Sequence, residues 1–418
     1  MSVLPDELSA NVDHDDQAVA KRPHIQQLRK IYQGDTGLIP IIIGLVCLVI
    51  YFQARNSIFL SSGNLTNLFI QSTAFILLSM AEIWLLLLGE IDLSLGFVSG
   101  LGAAVTVILV DTKYHWAWYL AVLVGLAITT AIGAMSGFLV IRLRLPSFIV
   151  TLAGLLGYQG VLIYLVDRQG TGGVVPLQNS VIRNFVYGDF TPIATWIFLV
   201  ALAVLFSIFM LRSERRRRSS GLQSRPHWVT ILKIVLLAAV AVFLAIVFNT
   251  NRSTFTVIRG MPFAIPIVMA MLGAGSFVLI KTKAGRYLYA IGGNSEAARR
   301  SGVNINRFRL MAFAFGGLTA GISGLLYASN LGGISDGIDG GNLVLYAVAG
   351  AVIGGTSLFG GRGKMVHALV GGVIIATIYN GMALIGMSAA TQYIATGLVL
   401  VAAVAIDSVA RRGSTVTG

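Results

Sequence analysis

The chain has 418 residues, of which 56% are hydrophobic and only 11% charged, with 48 glycines and a mean hydropathy of +0.82. This composition excludes a soluble globular domain of that length and predicts an all-α polytopic membrane protein. The 30 Lys and Arg against 17 Asp and Glu give a formal charge of +13, but the basic residues lie beside apolar segments with no soluble domain to present them, which excludes a nucleic-acid-binding protein.

In chain order, residues 1–36 are polar and mixed in charge, too polar for a signal peptide, and read as a disordered cytoplasmic tail. A transmembrane domain then covers 37–411, with 412–418 as a second cytoplasmic tail. At about 20 apolar residues per crossing, spans fall near 37–53, 66–89, 94–110, 117–141, 148–166, 192–211, 228–248, 263–280, 310–328, 342–359, 366–384 and 390–408. Boundaries near residues 90 and 360 are soft, so the expectation is about 10 to 12 helices. No small-residue cleavage site follows the first span, so it is expected to be retained. The single cysteine, Cys47, lies within it, which excludes an intramolecular disulfide. With the N-terminus inside, most Lys and Arg fall in cytoplasmic segments, so the positive-inside rule predicts that both termini are cytoplasmic.

Two polar segments stand between spans. Residues 212–227, RSERRRRSSGLQSRPH, form a basic cytoplasmic linker, read as a topology anchor and a contact for anionic membrane lipid. It divides the chain into similar halves, which invites a search for an internal pseudo-repeat. Residues 281–309 form a second basic island. Within it Asn294 or Ser295 can N-cap a short helix, Glu296 favours its first turn, Arg299 and Arg300 its last, and Gly302 can close it in a left-handed conformation. On charge alone this is either an ordinary cytoplasmic loop or a docking knob for a soluble partner.

Two glycine-rich motifs interrupt the hydrophobic pattern, GEIDLSLG at Gly89–Gly96 and GGTSLFGGRGK at Gly354–Lys364. Their similar form hints at the pseudo-repeat. Glu90 and Asp92 are either residues of a short turn or carboxylates of a translocation pathway. Glu82, deep within the second apolar run, must face the protein interior, a partner or water. The second motif is not a phosphate loop, because Leu358 occupies the first glycine position and Met365 follows Lys364. No metal, dinucleotide or nucleophile motif occurs elsewhere, and His14, His24, His115, His227 and His367 lack metal spacing. The chain is therefore not expected to be an enzyme or to need a cofactor. His367 reads as a helix-packing residue, and pairs such as Gly133 and Gly137 as close-packing devices.

At these motifs the chain resembles the permease subunits of bacterial ABC importers for monosaccharides, the ribose, galactose, arabinose and xylose group. The resemblance rests on GEIDLSLG, LPSFIVTLAG at Leu145–Gly154, GRYLYAIGGNSEAARRSGVN at Gly285–Asn304 and IGGTSLFGGRG at Ile353–Gly363, and it runs from about Asn64 to Arg411. Within the group the chain is most similar to the D-xylose permeases, through Glu90 before Ile91-Asp92, the LPSFIVTLAG version of that motif, and a central insertion ending in Gly221-Leu222-Gln223-Ser224. It departs from the family at Val344 and Tyr346, where an acidic pair is usual before the tenth span.

The resemblance implies a permease in the bacterial cytoplasmic (inner) membrane, working as a homodimer with a second permease copy. Its other partners would be a cytoplasmic ABC ATPase subunit and an extracytoplasmic sugar-binding protein. The Asn294–Gly302 helix would be the coupling helix, with Asn294, Ser295 and Gly302 shaping it and Glu296, Arg299 and Arg300 contacting the ATPase. Glu90, Asp92, Ser94, Gly354, Gly355, Thr356 and Ser357 would belong to the translocation pathway. Asp92 and Ser94 would shape it or a broken helix, and Gly354, Gly355 and Gly360 to Gly363 would form the matching bend in the second half. The residues alone leave two other classes open: an ion-gradient-driven transporter using Glu82, Glu90 and Asp92, and a non-transporting scaffold.

Overall fold

The computed structural model describes residues 38–111, 113–169, 171–221, 227–253, 256–398 and 401. The expected tails 1–36 and 412–418, Leu222, Gln223 and Ser224 of the central insertion, and the end of the twelfth span lie outside the described residues. In chain order the elements are α1 (Leu38–Arg55), α2 (Ser62–Leu86), α3 (Leu95–Val110), α4 (Trp118–Leu143), α5 (Ser147–Asp167), β1 (Val174–Pro176), α6 (Ser180–Tyr187), α7 (Pro192–Ser219), α8 (His227–Asn249), α9 (Ala264–Lys281), α10 (Lys283–Gly293), α11 (Ser295–Arg300), α12 (Ile305–Leu331), β2 (Gly333–Ser335), α13 (Gly340–Ile353) and α14 (Met365–Leu384). A further helix, α15, starts at residue 389 and is described to 398. Among the described residues, eight helices are long and apolar enough to cross a membrane, and shorter apolar helices stand at Ile41–Arg55, Leu95–Val110 and Gly340–Ile353. The chain divides into two units, Met1–Cys47 and Leu48–Gly418. The first holds the start of α1, and the elements from α2 onward belong to the second.

Local chemistry sets the helix ends. The Ser61 hydroxyl accepts from the Asn64 N–H at 3.3 Å to start α2, and Thr191 does the same for Ala194 before Pro192 opens α7. Arg144 is left-handed at φ +56°, and Pro146, which cannot continue a helix, leads into α5.

Besides the start of α2 at Ser62 and both ends of α12, three boundaries differ from the sequence expectation. Helix α2 stops at Leu86 because Gly89 turns the chain at φ +75°, and α13 stops at Ile353 because Gly355 does so at φ +108°. Helix α7 instead continues about two turns past residue 211, aided by a Glu214–Arg218 pair of i,i+4 spacing at 3.7 Å. Much of the basic linker is thus an extension of α7. Helix α6 and the antiparallel β1–β2 pair, with Val175 opposite Ile334, have no counterpart in the hydrophobic pattern.

Helix α2 is the central element. Its Leu77, Met80, Ile83 and Leu86 are buried with Leu326, Ala351, Met365 and Ala368 from α12, α13 and α14. Helices α7 and α8 lie outside this core and expose Ile197, Leu205, Phe209, Val235 and Leu236, side chains suited to lipid rather than water. Helix α12, with 27 residues, spans ~40 Å at 1.5 Å per residue, so its two ends mark opposite ends of the protein. The β1–β2 pair follows the C-terminal end of α12, and α10 and α11 precede its start.

Helices α4 and α12 approach backbone to backbone. A methyl group on Gly133 would lie 2.3 Å from the Phe313 carbonyl oxygen, and one on Gly317 2.2 Å from that of Thr129. Forcing side-chain volume into a packed core costs typically about 1 to 3 kcal/mol, more where only backbone can yield. Gly133→Val is therefore expected to lower the thermal unfolding midpoint in detergent clearly below the parent. Gly157→Val, where nothing lies within 4 Å, is expected to leave it nearly unchanged. Equal midpoints for the two variants would contradict this packing.

Candidate functional site

Helix α11 projects from the α10–α12 connection. The Asn294 side chain caps it by accepting from the Ala297 N–H at 2.9 Å, and Ser295 is its first residue. At the other end the Gly302 N–H donates to the Arg299 carbonyl and the Val303 N–H to the Ala298 carbonyl, with Gly302 at φ +81°. That is a Schellman closure, in which glycine meets the left-handed position without steric cost. Glu296 lies between Arg299 at 2.8 Å and Arg300 at 3.0 Å. Hydrogen bonds from Arg299 and then Arg300 hold its carboxyl below the ordinary glutamate value. All three side chains are exposed, so α11 presents a preformed charged surface while Ala298 is buried beneath it.

Just before α11, the end of α10 is wedged against both glycine-rich motifs. A methyl group on Gly292 would lie 1.8 Å from the Leu87 carbonyl oxygen and 2.5 Å from the Gly361 nitrogen. The Gly361 N–H itself donates to the Leu87 carbonyl at 3.0 Å, and the Tyr289 hydroxyl donates to the Gly363 carbonyl at 2.6 Å. Three segments distant in sequence thus meet through their backbones, Leu87–Gly89, Gly292–Gly293 and Gly360–Gly363.

Between α2 and α3 the chain is irregular, and α5 completes it. The Leu93 N–H donates to the Thr151 hydroxyl at 3.0 Å, and the Ile91 N–H to the Ser147 hydroxyl at 3.4 Å. Asp92 and Ser94 are fully buried in this break. Asp92 Oδ1 accepts from the Ser94 N–H at 2.8 Å and from its hydroxyl at 2.5 Å, while Oδ2 has no hydrogen-bond partner. Glu90 points the other way and pairs with Arg309 at 2.7 Å. Together they line a cavity of about 640 Å³ shared with Arg142, Arg144 and Asn306, a recess with more positive than negative charge. Glu82 is buried on α2; the Asp92 backbone amide lies nearby, at a geometry short of a hydrogen bond.

In the second motif, Gly354 backs onto the His367 carbonyl. The Thr356 hydroxyl lies 3.1 Å from His367 Nδ1, so His367 ties this loop to α14. The Ser357 N–H donates to the Arg362 carbonyl at 2.9 Å, and its hydroxyl accepts from the Phe359 N–H at 3.1 Å, which closes a compact turn. The two motifs therefore meet at one end of the protein. Hydropathy singles out none of Gly292, Tyr289, Arg309, Ser147 and Thr151. Tyr289 and Gly292 lie within the GRYLYAIGGNSEAARRSGVN motif and Ser147 and Thr151, a hydroxyl pair at i,i+4 directly after a proline, within LPSFIVTLAG, but neither motif shows which groups they meet.

Residues 64–404 match the protein family described as branched-chain amino acid transport system / permease component. The xylose transport system permease protein XylH of Escherichia coli (strain K12) is 35% identical over 376 residues, which covers 89% of this chain and 92% of the relative. The protein of the same name from Haemophilus influenzae (strain ATCC 51907 / DSM 11121 / KW20 / Rd) is 31% identical, covering 87% of this chain and 93% of its own length. The ribose import permease protein RbsC of Escherichia coli (strain K12) is 28% identical, covering 88% and 92%. No solved structure matches the chain.

The hydroxyl support of the break has a direct check. Thr151→Val keeps shape and volume but leaves the Leu93 N–H unpaired, a loss of about 1 to 3 kcal/mol for a buried donor. Thr151→Ser retains the acceptor. Thermal unfolding in detergent is expected to show the valine variant clearly destabilised and the serine variant close to the parent; a stable valine variant would mean that Thr151 does not hold the break.

Proposed function

The chain belongs to the family of branched-chain amino acid transport system / permease components, and from that premise we propose that it is the membrane-spanning subunit of an ATP-driven importer for D-xylose. The carrying observation is 35% identity to a xylose permease across nearly the full length of both chains. In this reading a cytoplasmic ATPase subunit supplies the work, a sugar-binding protein delivers the substrate on the outer face, and a second copy of the chain completes the pathway. The protein lies in the bacterial inner membrane with both termini and α11 on the cytoplasmic side.

The geometry supports a specific division of labour. Helix α11 carries no nucleotide site, but its exposed Glu296, Arg299 and Arg300 form a surface that a groove in the ATPase can hold. A push on α11 reaches α10 across one residue. Because Gly292 is in contact with Leu87 and Gly361 without intervening side chains, α10 cannot shift without moving both glycine-rich motifs. Packed backbone segments transmit displacement rather than absorb it. The Asp92–Ser94 break and the Gly354–Ser357 turn are then the places where α2–α3 and α13–α14 change angle.

The purified chain alone is expected to hydrolyse no ATP, and addition of the cognate ATPase to restore hydrolysis that responds to sugar-loaded binding protein. Uptake that persists when an uncoupler collapses the ion gradient but ATP remains would distinguish this importer from a gradient-driven carrier using Glu82 and Asp92. Replacing Glu296, Arg299 and Arg300 by alanine keeps a strong helix former at each position, so α11 stays folded. Co-purification of the ATPase is expected to be lost. The same exchange at Arg216, Arg217 and Arg218, at the end of α7, is expected to leave assembly intact. The reverse pattern would place the ATPase contact in the central segment.

Gly292→Val separates binding from transmission. The new side chain would collide with the Leu87 carbonyl, so α10 must part from the junction while α11 keeps its surface. The expected outcome is normal ATPase co-purification with sugar uptake reduced about a hundredfold or more, as ångström-scale misplacement does elsewhere. Normal uptake would show that force does not pass through Gly292.

A further inference from the structure

A second cavity, of about 320 Å³, lies between α2, α12, α13, α14 and α15, lined among others by Gln71, Tyr327, Asp339 and Tyr393. Tyr327 is ~27 Å along α12 from Arg309 at 1.5 Å per residue, so this cavity belongs to the end away from α11. One wall is aromatic. Phe75, Tyr346 and Tyr379 pack edge to face, with centroids 5.5, 5.8 and 6.4 Å apart. The facing polar groups are held in place. Asp339 accepts from the Tyr393 hydroxyl at 2.9 Å and from the Asn342 backbone N–H at 3.3 Å, and the Asn342 side-chain amide donates to it as well. The Gln71 amide oxygen accepts from Asn380 at 3.2 Å. Among the described residues the Gln71 amide nitrogen and the Tyr327 and Tyr379 hydroxyls have no hydrogen-bond partner.

We propose that this cavity is the permease's own monosaccharide site, a waypoint between the binding protein and the loop junction; the assignment rests on the importer reading above. An apolar ligand would cover Gln71, Tyr327 and Tyr379 without pairing them, which costs the desolvation of each polar group. An anion meets the Asp339 carboxylate with no Lys or Arg in the lining. No cluster of three metal-ligating side chains occurs among the described residues. A neutral polyol with one apolar ring face satisfies every wall, stacking on the aromatic cluster and exchanging hydrogen bonds with the carboxylate, amide and hydroxyls. The volume is at the small end of the roughly 300 to 1,000 Å³ span of ligand pockets, which favours a single sugar over an oligosaccharide. The cavity also accounts for the departure at residue 346. Tyr346 contributes a ring where the resemblance led to expecting an acid, and Asp339, beside the start of α13, supplies the carboxylate.

The test uses the full assembly of this chain, its ATPase and the sugar-binding protein in liposomes, with uptake of labelled D-xylose and ATP hydrolysis read from the same vesicles. The double variant Tyr327→Phe, Tyr379→Phe keeps both rings and removes two hydroxyls. Losing two hydrogen bonds is expected to lower uptake about tenfold or more while ATP hydrolysis stimulated by loaded binding protein stays near the parent level. The order in which ribose and other pentoses compete with xylose is expected to change. Parent-level uptake with an unchanged order of competitors overturns the site. If the double variant loses both activities, the single Tyr379→Phe variant is judged by the same split, and loss of both again overturns the site in favour of a packing role. If the parent assembly moves no monosaccharide, the importer reading fails, and the cavity assignment with it.

Discussion

A buried peptide group without a partner costs on the order of several kcal/mol in an apolar setting, and residues 87–93 break the helix between α2 and α3 inside the protein. Every other feature of the junction answers that demand. The Leu87 carbonyl is met by the Gly361 N–H, and the Ile91 and Leu93 N–H groups by the hydroxyls of Ser147 and Thr151. Asp92 folds its carboxylate back onto Ser94. The break is therefore a joint assembled from four segments, and it lasts only while α5, α10 and the 354–364 loop stay against it.

Close backbone approach is the second consequence. Hydrocarbon gives helices no hydrophobic reason to associate, so van der Waals contact between small residues has to hold them. Gly133 and Gly317 bring α4 onto α12 this way, and Gly292 brings α10 onto Leu87. The first contact fixes the scaffold, whereas the second lies at a joint. Both use the same small residue, and only their neighbours distinguish a glycine inside the helix scaffold from one at the junction with the glycine-rich loops.

Charge is sorted by depth. The exposed Glu296, Arg299 and Arg300 are mutually paired at the surface, where screening keeps their interactions weak and their partners exchangeable. Glu90 and Arg309 are paired at the lip of a recess. Below them, Asp92 and Glu82 keep oxygens that nothing in the described structure satisfies. Asp92 itself lies in the break between α2 and α3, and Glu82 on the helix that leads into it.

The sequence by itself determined the class, the approximate positions of most of the long helices and the local shape of α11, because these depend on short-range physics. Apolar run length places most of the long helices to within a few residues, and Asn294, Glu296 and Gly302 write the start and stop of a helix into nine residues. The resemblance of four motifs pointed to the family, and the match over residues 64–404 bears that out. Spacing along the chain could not show that Gly292 touches Leu87 and Gly361, that Glu90 pairs with Arg309, or that Ser147 and Thr151 complete the break. It also could not show that Tyr346, Tyr379 and Asp339 surround one cavity. Each of these joins residues dozens to hundreds of positions apart. Contacts of that kind are selected by how helices cross and which faces meet, a property of the packed bundle that no single segment carries. The ends of α7 and α13 moved for the related reason that one ion pair and one left-handed glycine outweighed the hydropathy pattern at those points.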